Sequence, residues 1–449
     1  MADEALQRLL ATLGGVRSAF TAPSFRNFVV LFSGWVLTGG AHAVTEALVQ
    51  TRVAGRRHHE AFHRFFSRGT WSPDELGRLL FELILRVIPA GCPIRIAVDD
   101  TLAAKKGPHV FGIGSHLDAV RSTKRQKIFC FGHCWVMLAL VMPVPFSERT
   151  WALPILFRLY RNQKECERKG QPHRKKTELA RDLLDVLTPW VGGRRVELSM
   201  DSAYCNDTVL RGLPANFVVF GPMRPDAVLT DLPRTRRRHK NGRPRVRGAV
   251  LPKPEALARN ERRPWQRTQA RLYGKLQTVE YKTCDAQWYR ACGVRLLRIV
   301  VVRVHTGRIG LRVFFCSDPL LGVRAILEGY AERWAIEVCF RDMKQLLGFA
   351  DSSARKQAAV ERTAPFVGLS YTLLVLWAVR GVYRLPVAAP PLRPWYPHKR
   401  GLSFADLLRT AQRVLAPLDV LDPPSTCGNL HKPTDRHFHP SRERQKRAA

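Results

Sequence analysis

Residues 93–101 read PIRIAVDDT, an aliphatic run closed by two acids and a threonine. The run predicts a buried strand whose C-terminal end presents carboxylates. Downstream, KIFCFGHCWVMLALVMPV (127–144) predicts a long buried strand or a strand pair. TWALPILFRLY (150–160) predicts another strand or a strand–helix junction. KKTELARDLLDVLTPWV (175–191) has Leu179, Leu183, Leu184 and Leu187 on one side, the spacing of an amphipathic helix. GRRVELSMDSAY (193–204) then predicts a strand closing on Asp201. Strands, a helix and a further strand ending in a carboxylate suit an α/β core with a mixed sheet.

Upstream of this core, residues 1–90 read as helical. Ser72-Pro73-Asp74-Glu75 is a helix start: Ser72 to cap, Pro73 for the first turn and Glu75 to complete a capping box. Beyond residue 225 the composition changes. RTRRRHKNGRPRVR (234–247) holds eight Arg and Lys and no acid, a solvated loop or a phosphate-binding arm. The following segments read as strands, with His305-Thr306-Gly307-Arg308 as a hairpin turn. Residues 320–348 predict one helix, and TAPFVGLSYTLLVLWAV (363–379) an apolar one, too short to span a bilayer comfortably and better read as a core helix. The expected parts are therefore a helical N-terminal DNA-binding domain (1–90), the first part of the core (91–225), a basic β-rich insertion (226–318), the second part of the core (319–385) and a Pro-rich, basic C-terminal region (386–449), expected to be disordered from about Asp422.

The 449 residues carry 73 Lys and Arg against 37 Asp and Glu, a formal charge of +36, with 45% hydrophobic residues. That hydrophobic content builds a full core and excludes a wholly disordered basic tail. So large an excess of one sign repels itself and points to a polyanionic partner rather than to a small metabolite. Ten scattered Cys with no C-x2-C pair suit a reducing compartment rather than a disulfide scaffold. With no clear signal-peptide core, the expected location is the cytoplasm, at the nucleoid, with no membrane partner.

The chemistry is concentrated in YAERWAIEVCFRDMKQ (330–345). Tyr330, Arg333, Glu337 and Lys344 fall, at about 100° per residue, within a stripe of about 60° on one helix. One acid, two cations and a phenol suit a phosphodiester site; an Arg333–Glu337 ion pair on a solvated face is the plainer alternative. Asp99 and Asp201 each end an apolar strand in an acid-poor chain. Three carboxylates converging from two strands and a helix would make a hard-oxygen cage for two Mg²⁺ ions.

VDDT, MDSAY and Y-x2-R-x3-E-x6-K together resemble the Asp-Asp-Glu transposases of bacterial insertion sequences, in particular the insertion-sequence-4-like group with the Tyr-Arg-Glu-Lys signature and its 701-like branch. The resemblance runs over about 93–380. It implies an RNase H-like catalytic core with a β-rich insertion between the second Asp and the Glu. It implies Asp99, Asp201 and Glu337 as the catalytic metal ligands, Asp100 competing for the first place, and two Mg²⁺ ions for which Mn²⁺ substitutes. Tyr330, Arg333 and Lys344 would contact DNA near the transposon end. Relatives cut through a DNA hairpin and hold a flipped base against aromatic residues, a role for which Trp265 and Trp288 are candidates. Arg236, Arg237, Arg238 and Lys240 of the basic arm would hold phosphates. The implied activity is cut-and-paste transposition at terminal inverted repeats, on double-stranded transposon ends and target DNA, by a homodimer in the paired-end complex. The rivals are a nuclease on the same core that cuts without joining, and a non-catalytic DNA-binding remnant. Two other patterns read as weaker: His59-Glu60-Ala61-Phe62-His63 matches a zinc-peptidase motif, and Cys130, His133 and Cys134 could begin a zinc site but divide between strand faces.

Overall fold

β1 (Ile94–Ala104) is the strand around which the sheet is assembled. Ile94, Ile96, Ala97 and Val98 are fully buried, as expected of a strand covered on both faces. The computed structural model describes residues 2–107, 109–233, 245–303, 310–397, 399 and 401–421. The other strands are β2 (Gly114–Leu117), β3 (Phe129–Val144), β4 (Ser147–Tyr160), β5 (Val196–Met200), β6 (Phe217–Met223), β7 (Gln266–Leu272), β8 (Lys275–Gln287), β9 (Leu296–Arg303) and β10 (Arg312–Cys316). They form one mixed sheet in the order β2-β3-β1-β5-β6-β10-β9-β8-β7, with β4 also paired to β3. The β1–β5 and β5–β6 pairs are parallel and the others antiparallel. The strands of residues 226–318 thus extend the central sheet past β6 rather than building one of their own.

The first strand does not end at its acids. It runs on to Ala104 because β3 offers a ladder as far as Gly132, opposite Ala104. A Cβ at Gly132 would sit 2.2 Å from the Ala103 carbonyl oxygen, so this close approach needs glycine. The ladder places Asp99 opposite Met137 and Asp100 opposite Val136, so the two acids point to opposite faces.

The helices are α1 (Ala2–Gly14), α2 (Ala22–Leu37), α3 (Val44–Gln50), α4 (Glu60–Ser67), α5 (Pro73–Leu85), α6 (Gln163–Arg168), α7 (Lys176–Val191), α8 (Asp207–Leu210), α9 (Pro254–Arg259), α10 (Tyr289–Cys292), α11 (Val323–Glu332), α12 (Ala335–Leu346), α13 (Gln357–Val379) and α14 (Phe404–Leu415). α7 covers the Asp100 face of the sheet; α12 and α13 cover the other. Ser72 caps α5 by accepting from Glu75 N at 3.4 Å, but the Glu75 carboxylate pairs with Arg78 at 2.7 Å instead of reaching back. α13 is the apolar helix, and 89% of its most apolar window is buried. Its Trp377 Nε1 donates to Ala5 O at 2.9 Å, and Phe366 meets Phe28 and Phe66 edge-on, so α1–α5 share one core with the sheet domain.

The helix expected over 320–348 is two helices. Between α11 and α12 the backbone bonds step by three residues, Arg333 N to Tyr330 O and Glu337 N to Trp334 O, both at 3.1 Å. This tightened 3₁₀-type turn carries Arg333 and Trp334. In the basic arm, residues 234–244 lie outside the described residues, and with them Arg236, Arg237, Arg238 and Lys240. So do the turn expected at 305–308 and the tail beyond 421.

Candidate active site

Three elements bring the carboxylates of the sequence pattern to one place. Asp99 projects from β1 toward α12, Asp201 stands just past the end of β5, and Glu337 lies in the first turn of α12. Arg333, in the tightened turn, joins them. Its Nη1 donates to Asp99 Oδ2 at 2.6 Å and its Nη2 to Glu337 Oε1 at 3.1 Å. Asp201 is close enough for its charge to act on Asp99, Glu337, Tyr330 and Arg333. The Arg333–Glu337 pair of the plainer reading therefore exists, but inside a site rather than on a solvated face: the Arg333 side chain is 10% exposed.

Burial pushes the Asp99 carboxyl up to about 7, against the pull of Arg333. Burial likewise raises Glu337, again opposed by Arg333, with Asp201 adding to the rise. A pair of acids, Asp99 and Glu337, that resists ionisation is one short of positive charge. Arg333 supplies part of it, and its Nε has no hydrogen-bond partner. Among the described residues, no three His, Cys, Asp or Glu side chains are gathered tightly enough to hold a metal ion as they stand. The donor set nevertheless fits a hard divalent cation: three carboxylates, no sulfur, and an Arg side chain lying where an ion would neutralise the same pair.

Asp100 belongs to a different environment. On the opposite face of β1 it accepts from Lys176 Nζ and Tyr204 Oη, each at 2.6 Å, and lies 3.3 Å from Cys134 Sγ. Burial would raise its carboxyl, but Lys176 and these hydrogen bonds hold it below the usual range. Tyr330 stacks under Arg333, whose guanidinium carbon is 5.6 Å from the ring centroid, and burial pushes its phenol up to about 12. Lys344, farther along α12, is half-buried, and burial lowers its ammonium against the attraction of Asp118 and Asp100.

The two indoles expected to stack on DNA are engaged by protein. Trp265 lies between the Lys282 ammonium at 4.7 Å and the Arg303 guanidinium at 4.4 Å, and Trp288 packs edge-on against Phe315. The open aromatics beside the carboxylates are others. Tyr273 and Trp334 are 56% and 48% exposed and meet edge-on at 5.8 Å. Tyr273 and Gly274 both have positive φ and form the two-residue turn between β7 and β8. Trp334 stands in the quoted pattern between Arg333 and Glu337. Nothing in the sequence paired Tyr273 with it, or Lys176 and Tyr204 with Asp100.

The other metal patterns are used otherwise. Glu60 is taken by Arg64 at 2.7 Å, with His59 and His63 edge-on at 5.8 Å. His133 Nε2 bonds the Phe111 carbonyl at 2.8 Å, while Cys134 faces Asp100.

The model of a family described as DDE superfamily endonuclease matches residues 16–283, and the chain belongs to that family. The match takes in Asp99 and Asp201 and stops short of Glu337. No curated protein matches the chain by sequence. Among solved structures, it is similar to the piggyBac transposase in a synaptic complex with hairpin DNA, at 9% identity and a TM-score of 0.43, over 93% of this chain and 78% of that one.

Proposed function

From membership of the DDE endonucleases, we propose that this chain is a DNA transposase of the Tyr-Arg-Glu-Lys group, in its 701-like branch, with an RNase H-like core. Its reaction is cut-and-paste transposition at terminal inverted repeats, carried out by a homodimer on transposon ends and target DNA. The observation that carries the reading is Arg333 bridging Asp99 and Glu337 with Asp201 at hand, three acids from three remote parts of the chain. Asp99, Asp201 and Glu337 would hold two Mg²⁺ ions, for which Mn²⁺ substitutes. Such ions activate water or a 3′-hydroxyl and stabilise the leaving oxygen of an in-line displacement.

The chain's own residues do the rest. Lys176 and Tyr204 keep Asp100 out of the site, which favours Asp99 as the first ligand. Arg333 neutralises the acids before substrate arrives and is placed, with Lys344, to take backbone phosphates. Tyr330 supports the guanidinium from below. Tyr273 and Trp334, in place of Trp265 and Trp288, offer exposed rings to a base turned out of the duplex.

The test is cleavage of a terminal-repeat duplex in Mg²⁺ and joining of pre-cut ends. Asp201→Ala and Glu337→Ala each lower cleavage by at least about a hundredfold while end binding persists. Wild-type cleavage by either variant removes that residue from the site. Cleavage by the native chain with no joining leaves a nuclease on the same core.

A further inference from the structure

The hairpin where β2 meets the start of β3 takes no part in the site just described. Residues 105–131 carry six cations (Lys105, Lys106, Arg121, Lys124, Arg125 and Lys127) and one acid, Asp118, with Lys105 already donating to the Ala350 and Ser352 carbonyls. That acid is bonded by Arg121 at 2.7 Å. Out of this positive setting rise two aromatic rings, Phe129 and Phe131, 64% and 65% exposed. They are alternate residues of β3, so they stand on the same face. Leu117, paired with Phe129 across the ladder, is exposed beside them. Grouped exposed apolar side chains mark a contact surface rather than scattered surface residues.

The chemistry around the rings selects what covers them. A second copy of this chain would set the same cations against themselves. An apolar protein face would leave them unpaired. DNA with unpaired bases satisfies both parts, with base faces for the rings and phosphates for the ammonium and guanidinium groups. A cleft of about 760 Å³ beside Phe131, with Lys106 and Lys164 in its lining, gives the strand room.

Position adds to this. Phe129, Phe131, His133, Trp135 and Met137 share one face of β3, and Met137 is the ladder partner of Asp99. The rings therefore lie on the Asp99 side of the sheet. Six residues separate Met137 from Phe131, about 20 Å at about 3.3 Å per residue. That is about six nucleotide steps of duplex.

We infer that Phe129 and Phe131 form a stacking platform for unpaired bases of the DNA, with the cations of the adjoining loop holding the phosphates on either side. The inference rests on the DNA-processing reading above and adds a second place where strands are open, apart from Tyr273 and Trp334.

The full chain, without divalent ions, is titrated by fluorescence anisotropy with a plain duplex and with the same duplex carrying a single-stranded tail that contains 2-aminopurine. Phe129→Ala/Phe131→Ala lowers affinity for the tailed DNA at least about tenfold, abolishes the 2-aminopurine quench and leaves duplex affinity within about twofold. Phe129→Trp/Phe131→Trp keeps both the affinity and the quench. Unchanged tailed-DNA binding in the alanine variant, or equal loss on both probes, overturns the platform. So does a change confined to sedimentation, which would assign the rings to a second copy. If the wild-type chain binds neither probe, the transposase reading itself falls; if it binds duplex and the variants match it on both probes, only the platform does.

Discussion

Arg333 and Asp99 hold the site together through a balance of burial and charge. Asp99 is driven toward its neutral form by burial and back toward its anion by one guanidinium. Its folded carboxyl, at about 7, sits above the unfolded value of about 3.9. A raised folded value means that the native state holds the proton more tightly. The stability this supplies is full below about pH 4 and is lost as pH climbs through about 7. Asp99→Asn is neutral throughout and escapes that loss. Without divalent ions, the variant should therefore gain stability on the wild type, on the order of 1–3 kcal/mol between about pH 5 and pH 8, measured by denaturant unfolding. Parallel pH profiles for the two proteins would show that Asp99 ionises in the native state as freely as in solution. Asp100→Asn should show no such gain, because Lys176 and Tyr204 already hold that carboxyl low.

At the scale of elements, the strands were legible because buried aliphatic runs bounded by charge have few other readings. The residue pattern also carried α7, with Leu179, Leu183, Leu184 and Leu187 all buried. The boundaries were harder. PIRIAVDDT predicts a strand that stops at its acids, but strand length is set by the partner, and β3 keeps pairing to Gly132. The α11–α12 break falls where the pattern reads as one helix, and there Arg333 turns into a site that includes Asp99, 234 positions away. α14 hid behind the Pro-rich stretch, although Ser403 and Asp406 hold a capping-box spacing there. Asp406 makes that helix testable. Its buried carboxylate takes bonds from Arg393 at 2.9 Å, Ser403 N at 2.9 Å and Lys399, which together hold it well below the usual range despite burial. A lowered folded value supplies stability above about pH 4 that fades as pH falls. Asp406→Asn should cost about 3 kcal/mol at neutral pH by leaving partly buried cations unpaired. The cost should shrink in acid, read as convergence of the two melting temperatures below about pH 4. A constant gap across that range would mean that Asp406 acts through packing alone.

For the whole molecule, charge and core divide the labour. Most apolar residues of α1–α5, the sheet and α13 form one cluster, a smaller one packs α11 against the β6–β10 end of the sheet, and the net charge of +36 is left to act outward. Such a surface binds phosphates before it reads any base, and each phosphate neutralised releases condensed counterions. Binding of non-specific duplex should therefore weaken steeply with salt. Six to ten phosphate contacts would lower affinity by about 10³–10⁵ between about 50 and 200 mM. Anisotropy titrations over that range give the number of contacts from the slope of log K against log salt, about −0.9 per phosphate. A slope shallower than about −2 would mean that the excess cations face away from DNA. Terminal-repeat duplex should keep much the same slope but lie above the non-specific line by a salt-insensitive offset, because base contacts release few counterions. The two lines thus separate what the +36 surface contributes from what reads the sequence. Substituting Lys344, which lies along α12 beyond Glu337, should flatten both lines by about one contact and leave their spacing unchanged.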